Sequence, residues 1–195
     1  MARDTLADLA DEALLVLYAN GDPDAARLLA SRLLPRILGY AARLLADRTE
    51  AEDIAQEAML RLWRVAPDWR QDEASVSSWM YRVVTNLCTD RLRARRRRQT
   101  DALDLVAEPA DGAPGPVAGM IEADRMAALN AALANLPDRQ REAVILRHIE
   151  GLTNLEIAEV LQIGVEAVES LTARGKRALT TALAGQRRVL GYREA

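Results

Sequence analysis

Apolar residues recur at helical spacing along most of this chain, and Gly, Pro and polar caps fall where helices must stop. Leu6 to Asn20 carries a stripe of Leu9, Ala13, Val16 and Leu17 and runs out at Asn20-Gly21, a helix stop. Asp22-Pro23 restarts the chain as N-cap and first helical residue. The second helix runs through Leu28, Leu29, Leu33 and Leu34 to about Ala46, and Pro35, which lacks an N–H, predicts a kink or a split within it. Thr49 and Glu52 have capping-box spacing for a third helix to about Val65, with Ile54, Ala58, Met59 and Leu62 facing inward. A loop follows, Ala66 to Ala74, with Pro67, Asp68 and Trp69. From about Val76 a long helix is predicted up to an arginine block at Arg91 to Arg98.

The pattern then breaks. From Gln99 to Gly119 there are four acids and no base, with Pro109, Pro114 and Pro116 among Gly112, Gly115 and Gly119. Such a tract holds no regular helix and buries little, which predicts a flexible acidic linker. Beyond it, Ile121 to Asn135 is helical with Met126, Leu129 and Leu133 as its stripe, and Leu136-Pro137-Asp138 starts a helix that turns Ala143, Val144, Leu146 and Ile149 inward. Gly151 ends that helix, and Thr153 with Glu156 caps a short one that buries Leu155, Ile157, Ala158 and Leu161. A tight turn, Gln162-Ile163-Gly164, leads into a last helix through Val165, Val168, Leu171 and Leu179. Two short helices, a three-residue turn containing Gly and a small Ala158 at the crossing spell a helix-turn-helix. The predicted organisation is all-α: a domain over residues 1–98, a linker over 99–120, and a helix-turn-helix four-helix domain over 121–195.

Composition agrees with helices. Phe is absent and Tyr and Trp together number seven, while Ala and Leu, which lose little on entering a helix, are abundant. The net charge of −3 argues against an indiscriminate nucleic-acid binder, so any DNA contact is local or assisted by a partner. Lys176 is the only lysine among the bases, so arginine identity carries less information here than arginine position. One cysteine, Cys88, allows no intramolecular disulfide, and one histidine, His148, excludes the usual His-based metal sites. His148 reads as an interior or interfacial side chain, and Cys88 as a small buried hydrophobe. The acidic start of the chain lacks a signal peptide's basic head, and no run approaches the roughly 20 apolar residues of a membrane span. A cytoplasmic protein without membrane insertion is expected. There is no phosphate-cradling Gly loop, no histidine beside a candidate serine and no carboxylate cluster in an apolar setting, so no enzyme activity, cofactor, metal or small-molecule substrate is expected.

Three surfaces carry candidate chemistry. On the third helix Asp53, Gln56, Glu57 and Leu60 share one face and offer carboxylates and an amide to a basic partner, or form a solvated face. On the long helix Trp79, Val83, Asn86 and Asp90 form a stripe from aromatic to amide to acid. That stripe can stack on and hydrogen-bond bases of an opened duplex, with Arg82, Arg91 and Arg93 on the phosphates, although Trp79 fits a core role equally. Trp63 is assigned to the core. On the last helix Glu166 or Glu169 can accept from a cytosine amino group, and Arg174 and Lys176 can reach phosphates, or these side chains are merely exposed.

AEDIAQEAMLRLW, then SSWMYRVVTNLCTDRLRARRRR, a linker, and LPDRQREAVILRHIEGLTNLEIAEVLQIGVEAVESLTARGKRAL resemble, in that order, the bacterial RNA polymerase sigma factors of the sigma-70 family, and more narrowly the small extracytoplasmic-function group. The resemblance spans about Leu9 to Leu183. It implies that Asp53, Gln56, Glu57 and Leu60 grip the clamp-helix coiled coil of core RNA polymerase. It further implies that the long helix and the preceding loop, with Trp69, recognise and melt the minus-ten element of promoter DNA and receive a flipped base. The helix-turn-helix would read the minus-thirty-five element, the linker would thread the RNA channel, and an anti-sigma factor would be a partner.

The last helix departs from the family pattern: Gly164, Ala167, Glu169 and Leu171 replace the usual small polar cap, threonine, basic residue and arginine, while Ser170 and Arg174 remain. Asn130 to Gly185 holds six bases against seven acids. That acidity keeps two other readings open. One is a sigma-like protein that titrates an anti-sigma factor, and the other a free-standing helix-turn-helix regulator with an oligomerising front domain.

Overall fold

The computed structural model describes residues 6–70, 75–101 and 117–184, without the side chains of 100–101 and 117–123. Among the described residues there are eight α-helices and no strand. α1 is Asp11–Ala19, α2 Pro23–Leu45, α3 Arg48–Val65 and α4 Val76–Asp101; a 3-10 turn, Ala66–Asp68, follows α3. α5 is Val117–Ala134, α6 Asp138–His148, α7 Asn154–Leu161 and α8 Val165–Ala184. The ends of the expected linker, 99–101 and 117–120, are helical, while 102–116 lies outside the described residues, as do 71–74 of the expected loop.

Local chemistry explains the boundaries. Asp22 caps α2 by accepting from the Asp24 and Ala25 amides, and Gly21, at φ +93°, reverses the chain after α1. α2 continues through Pro35 unbroken. The cap of α3 differs from expectation: Asp47, not Thr49, accepts from the Glu50 amide at 3.0 Å, and Glu52 pairs with Arg48 instead of reaching back. Ala46, left-handed at φ 52°, swings the chain so that extended Asp47 meets the helix end, and an aspartate there is as good an acceptor as threonine. Ser75 caps α4 through the Ser78 amide, and Glu12 of α1 takes the Val76 amide at 2.9 Å. The capping box of Thr153 and Glu156 on α7 is formed as expected, and its two hydrogen bonds hold the Glu156 carboxyl below its usual range.

α2 threads the first domain, burying Leu29, Leu33, Ile37, Tyr40, Ala41, Leu44 and Leu45 against α1, α3 and α4. α3 contributes Ile54, Ala58, Met59 and Leu62, as the periodicity predicts. In α1 the fully buried residues are Leu14 and Leu15, not the expected stripe, because this short helix is apolar around most of its circumference and spacing cannot select a face. The Tyr40 hydroxyl donates to Thr85 Oγ1 at 2.9 Å, whose own proton goes to the Tyr81 carbonyl, and the two tyrosine rings meet edge to face. Cys88 is buried there, and desolvation pushes its thiol up to about 12, leaving it unreactive. Trp63 is partly buried, its ring 4.5 Å from that of Tyr18.

In the second domain α8 packs on α5, α6 and α7. Ile157, Val160 and Leu161 form the buried row of α7, whereas Leu155, expected inside, is 65% exposed because two residues of helix turn it away from that row. Ile149 and Met126, also expected inside, are each 36% exposed. His148, expected as an interior or interfacial side chain, is exposed at the end of α6, where it lines a groove beside Lys176. Partial desolvation and the nearby charges of Lys176 and Arg147 lower its pKa. The tightest approach falls at Gly175: a Cβ there would lie 2.5 Å from Val144 Cγ2 and 3.2 Å from the Gln140 carbonyl oxygen, so only glycine lets α8 meet α6.

Candidate functional site

α3 holds its polar stripe outward by burying the opposite face. Asp53 and Gln56 are exposed, Glu57 is partly so, and Leu60 remains 42% exposed among them. Glu57 accepts from Arg61 Nε at 2.8 Å, and this hydrogen bond, helped by the charges of Arg61 and Arg64, holds its carboxyl below the usual glutamate range. The four residues thus form one amphiphilic, solvent-facing strip, with an aliphatic side chain among acceptors. Such a strip suits a partner that brings cations on an apolar stem.

The α4 stripe is divided by its surroundings. Trp79 is half-buried and meets Trp69 edge to face, centroids 5.9 Å apart at 85°. Its ring is therefore held by Trp69 as well as by the core, and Trp69 Nε1 is buried without a partner. Asn86 and Asp90 are exposed about two and three turns further on, and Arg82 is partly so. The arginine block splits in two. Arg91 pairs with Glu50 at 3.5 Å, and Arg95 spans Asp47 and Glu50 at 2.9 Å each while donating to the Leu45 carbonyl, so both tie α4 to the start of α3. Arg93 stays 66% exposed, 3.8 Å from Asp90.

On α8, Glu166, Ala167, Glu169, Ser170, Arg174 and Lys176 are all exposed, while Val168 and Gly175 face inward. Arg174 folds back on its own helix, donating to the Ser170 hydroxyl at 2.9 Å, and Glu169 accepts from Asn154 of α7 at 3.4 Å. At 100° per residue Ser170, Arg174 and exposed Arg177 share one face, whereas Lys176 is turned toward an apolar groove lined by Leu129, Leu133, His148 and Leu179. The structure brings Arg177 to this face and sets Lys176 apart. Counting helical angle from Ser170 would have found that exchange.

The two domains touch. α7 packs on α4, and α5 and α6 on α2. Tyr81 of α4 donates its hydroxyl to Glu150, which also lies 3.9 Å from Arg43 of α2. Burial and this acceptor push the Tyr81 phenol well above the tyrosine range, and Arg36 lies over its ring at 5.6 Å. Arg141 of α6 donates to the Leu44 carbonyl at 2.8 Å, satisfying an orphan acceptor at the end of α2, and Arg96 pairs with Asp138. Between α4 and the α6–α7 pair runs a polar groove of about 300 Å³, with Asn86, Asp90 and Arg93 on one wall and Arg139, Leu161 and Gln162 on the other. Sequence periodicity carries no signal for these long-range pairs.

Among the described residues no cluster of His, Cys, Asp and Glu can hold a metal ion, and no helix is long and apolar enough to cross a membrane. Residues 29–98 match the family model for sigma-70 region 2, and residues 126–179 that for sigma-70 region 4. The chain is 34% identical over 182 residues to the RNA polymerase sigma-H factor of Pseudomonas aeruginosa, covering 89% of this chain and 93% of that protein. It is 30% identical over 168 residues to the ECF RNA polymerase sigma factor SigW of Bacillus subtilis, covering 82% and 89%. The solved structure of CnrH in complex with the cytosolic domain of CnrY matches with a TM-score of 0.66 at 25% identity over 91% of this chain and 99% of that one. The sigma factor RpoE, in complex with the anti-sigma factor NepR from Bartonella quintana, shares the fold with a TM-score of 0.66 at 21% identity over 80% and 94%.

Proposed function

The chain belongs to the sigma-70 family of RNA polymerase sigma factors, in its extracytoplasmic-function group, and from that membership we infer that it directs core RNA polymerase to specific promoters, initiates transcription there and is controlled by an anti-sigma factor. It acts in the cytoplasm and carries out no bond-making of its own; RNA synthesis belongs to the polymerase.

The residues divide the task. Asp53, Gln56, Glu57 and Leu60 of α3 bind the polymerase: the first, second and fourth are exposed, Glu57 is partly so, and the core row of α3 lies on the opposite face. Asn86, Asp90, Arg82 and Arg93 of α4, with Trp79 and Trp69, take the minus-ten strand, in which bases stack and phosphates meet arginine. Arg91 shapes that surface through Glu50. On α8, Glu166, Ala167, Glu169 and Ser170 face the minus-thirty-five bases, and Arg174 with Arg177 the phosphates; Lys176 is left at the edge of that face. The segment between α4 and α5, rich in Pro, Gly and acids, links the two activities.

The observation that carries this reading is the separation of surfaces. One acidic strip on α3 and one mixed strip on α4 stand on the same rigid core, so polymerase and DNA can be held at once. In-vitro transcription with purified core polymerase tests it. Promoter-specific transcripts are expected; a chain that captures an anti-sigma factor yet yields no transcript would be a titrating decoy, as the acidic recognition helix allows, and one that shifts duplex DNA without polymerase would be a free-standing regulator.

A further inference from the structure

We propose that Glu169 of α8 selects a cytosine in the minus-thirty-five element and that Asn154 of α7 is the positioning residue that aims it. The proposal rests on the assignment of α8 to the minus-thirty-five bases, and within that assignment it decides between two exposed carboxylates, Glu166 and Glu169.

The first ground is how two helices fix this carboxylate. Val168 is fully buried and Gly175 lies against α6, so the roll of α8 is set and Glu169 is turned outward. The capping box of Thr153 and Glu156 fixes the start of α7, where Asn154 is the first helical residue. Asn154 Nδ2 donates to Glu169 Oε1 at 3.4 Å and so joins the two helices of the motif. Among the described residues no cation pairs with Glu169; Arg174 of the same helix is folded onto Ser170 instead. One oxygen of Glu169 is thus held by a neutral donor, and the other stays an open, charged acceptor. Glu166 has no hydrogen bond or ion pair among the described residues, so its side chain must be ordered from free rotation when DNA binds.

The second ground is what a carboxylate meets in the major groove. It accepts and cannot donate, so guanine N7 and O6 and thymine O4, all acceptors, repel it. The donors left are the amino groups of cytosine and adenine. On adenine the amino group lies beside N7, an acceptor that repels the second carboxylate oxygen, whereas cytosine N4 lies beside a C–H. Glu169→Gln reverses that preference, because an amide accepts from adenine N6 and donates to adenine N7. A negative charge among phosphates also lowers affinity for every sequence that lacks the matching amino group, so Glu169 works as much by exclusion as by attraction.

The test uses the full chain bound to core polymerase and offered a library of duplexes randomised across the promoter region, with the retained sequences counted. The parent is expected to enrich a two-part motif whose minus-thirty-five half holds a cytosine favoured about tenfold or more over other bases at that position. Glu169→Ala should abolish that preference and Glu169→Gln should turn it to adenine, with the minus-ten half of each motif as the internal reference. Asn154→Asp separates aiming from folding. An acid in the first turn suits a helix start, so a purely structural Asn154 would tolerate it, whereas a positioning Asn154 loses the cytosine preference because two carboxylates repel. Asn154→Ala should reduce the preference by a smaller factor, about threefold. A cytosine preference that survives Glu169→Ala would pass to Glu166 and overturn the proposal, as would a full preference in Asn154→Asp or a parent motif without cytosine in that half. A parent that retains no motif at all would overturn the functional reading, and this inference with it.

Discussion

The two domains are built on different terms. The first fills its interior with large side chains, Tyr40, Tyr81, Leu29, Leu33, Ile37 and Leu62 among them, and turns its polar strips outward. The second is smaller: it leaves Leu155, Ile149 and Met126 exposed and places Arg141 and Glu142 inside, both on the side that meets the first domain. A region that buries enough apolar surface can hold its functional residues rigid; one that does not must lean on something else. Here the second domain leans on the first through charged and hydrogen-bonded contacts, which break more readily than a core.

This contrast can be broken in graded ways. Leu62→Ala, in the middle of the first core, should cost about 3 kcal/mol, read as a lower thermal midpoint for the first domain. Gly175→Ala forces a methyl against Val144 and the Gln140 carbonyl, and should cost about 2 kcal/mol in the second domain while leaving binding to core polymerase intact, measured by calorimetry beside a pull-down. Asp53→Arg with Glu57→Arg should weaken polymerase binding about tenfold or more and move the melting curve little, because these side chains are at the surface.

The smallest effect concerns Glu142. Desolvation raises its pKa against the opposing charges of Arg139 and Arg141, with Asp138, Tyr40 and Cys88 also nearby. A carboxyl whose folded pKa is raised stabilises the fold below its unfolded pKa, and that contribution is lost as pH rises through the folded pKa. Glu142→Gln should therefore melt a few degrees higher than the parent near neutral pH, and the gap should close as pH falls below the usual carboxylate range. A gap that widens in acid would reverse the sign assigned to this group.

Much of this architecture was legible because helical periodicity and capping are local. The inward row of α3, the stop at Asn20-Gly21, the caps at Asp22 and Thr153 and the outward strip from Asp53 to Leu60 all follow from residues within a few turns of one another. Where the sequence misled, more than one local answer was available. Asp47 and Thr49 are both good caps two residues apart, and the left-handed turn at Ala46 decided between them. Leu155 has the right chemistry for a core but the wrong angle on a helix of eight residues. Lys176 and Arg177 differ by one position and 100° of rotation, which moves one to the groove and keeps the other beside Ser170 and Arg174. The ties of Arg91 and Arg95 to the start of α3, and of Glu150 to Tyr81, join residues far apart in sequence, and no spacing rule reports them.

The central claim is that the α3 strip gives this protein its hold on core RNA polymerase and that promoter reading follows from that hold. The most direct measurement is equilibrium binding of the purified full chain to core polymerase, with Asp53→Arg/Glu57→Arg alongside and promoter-directed transcripts counted from the same complexes. Tight binding by the parent, about tenfold or more weaker binding by the double variant, and transcripts lost in step with binding are the expected result. Equal binding by parent and variant, or no association of the parent with core polymerase, would contradict the account.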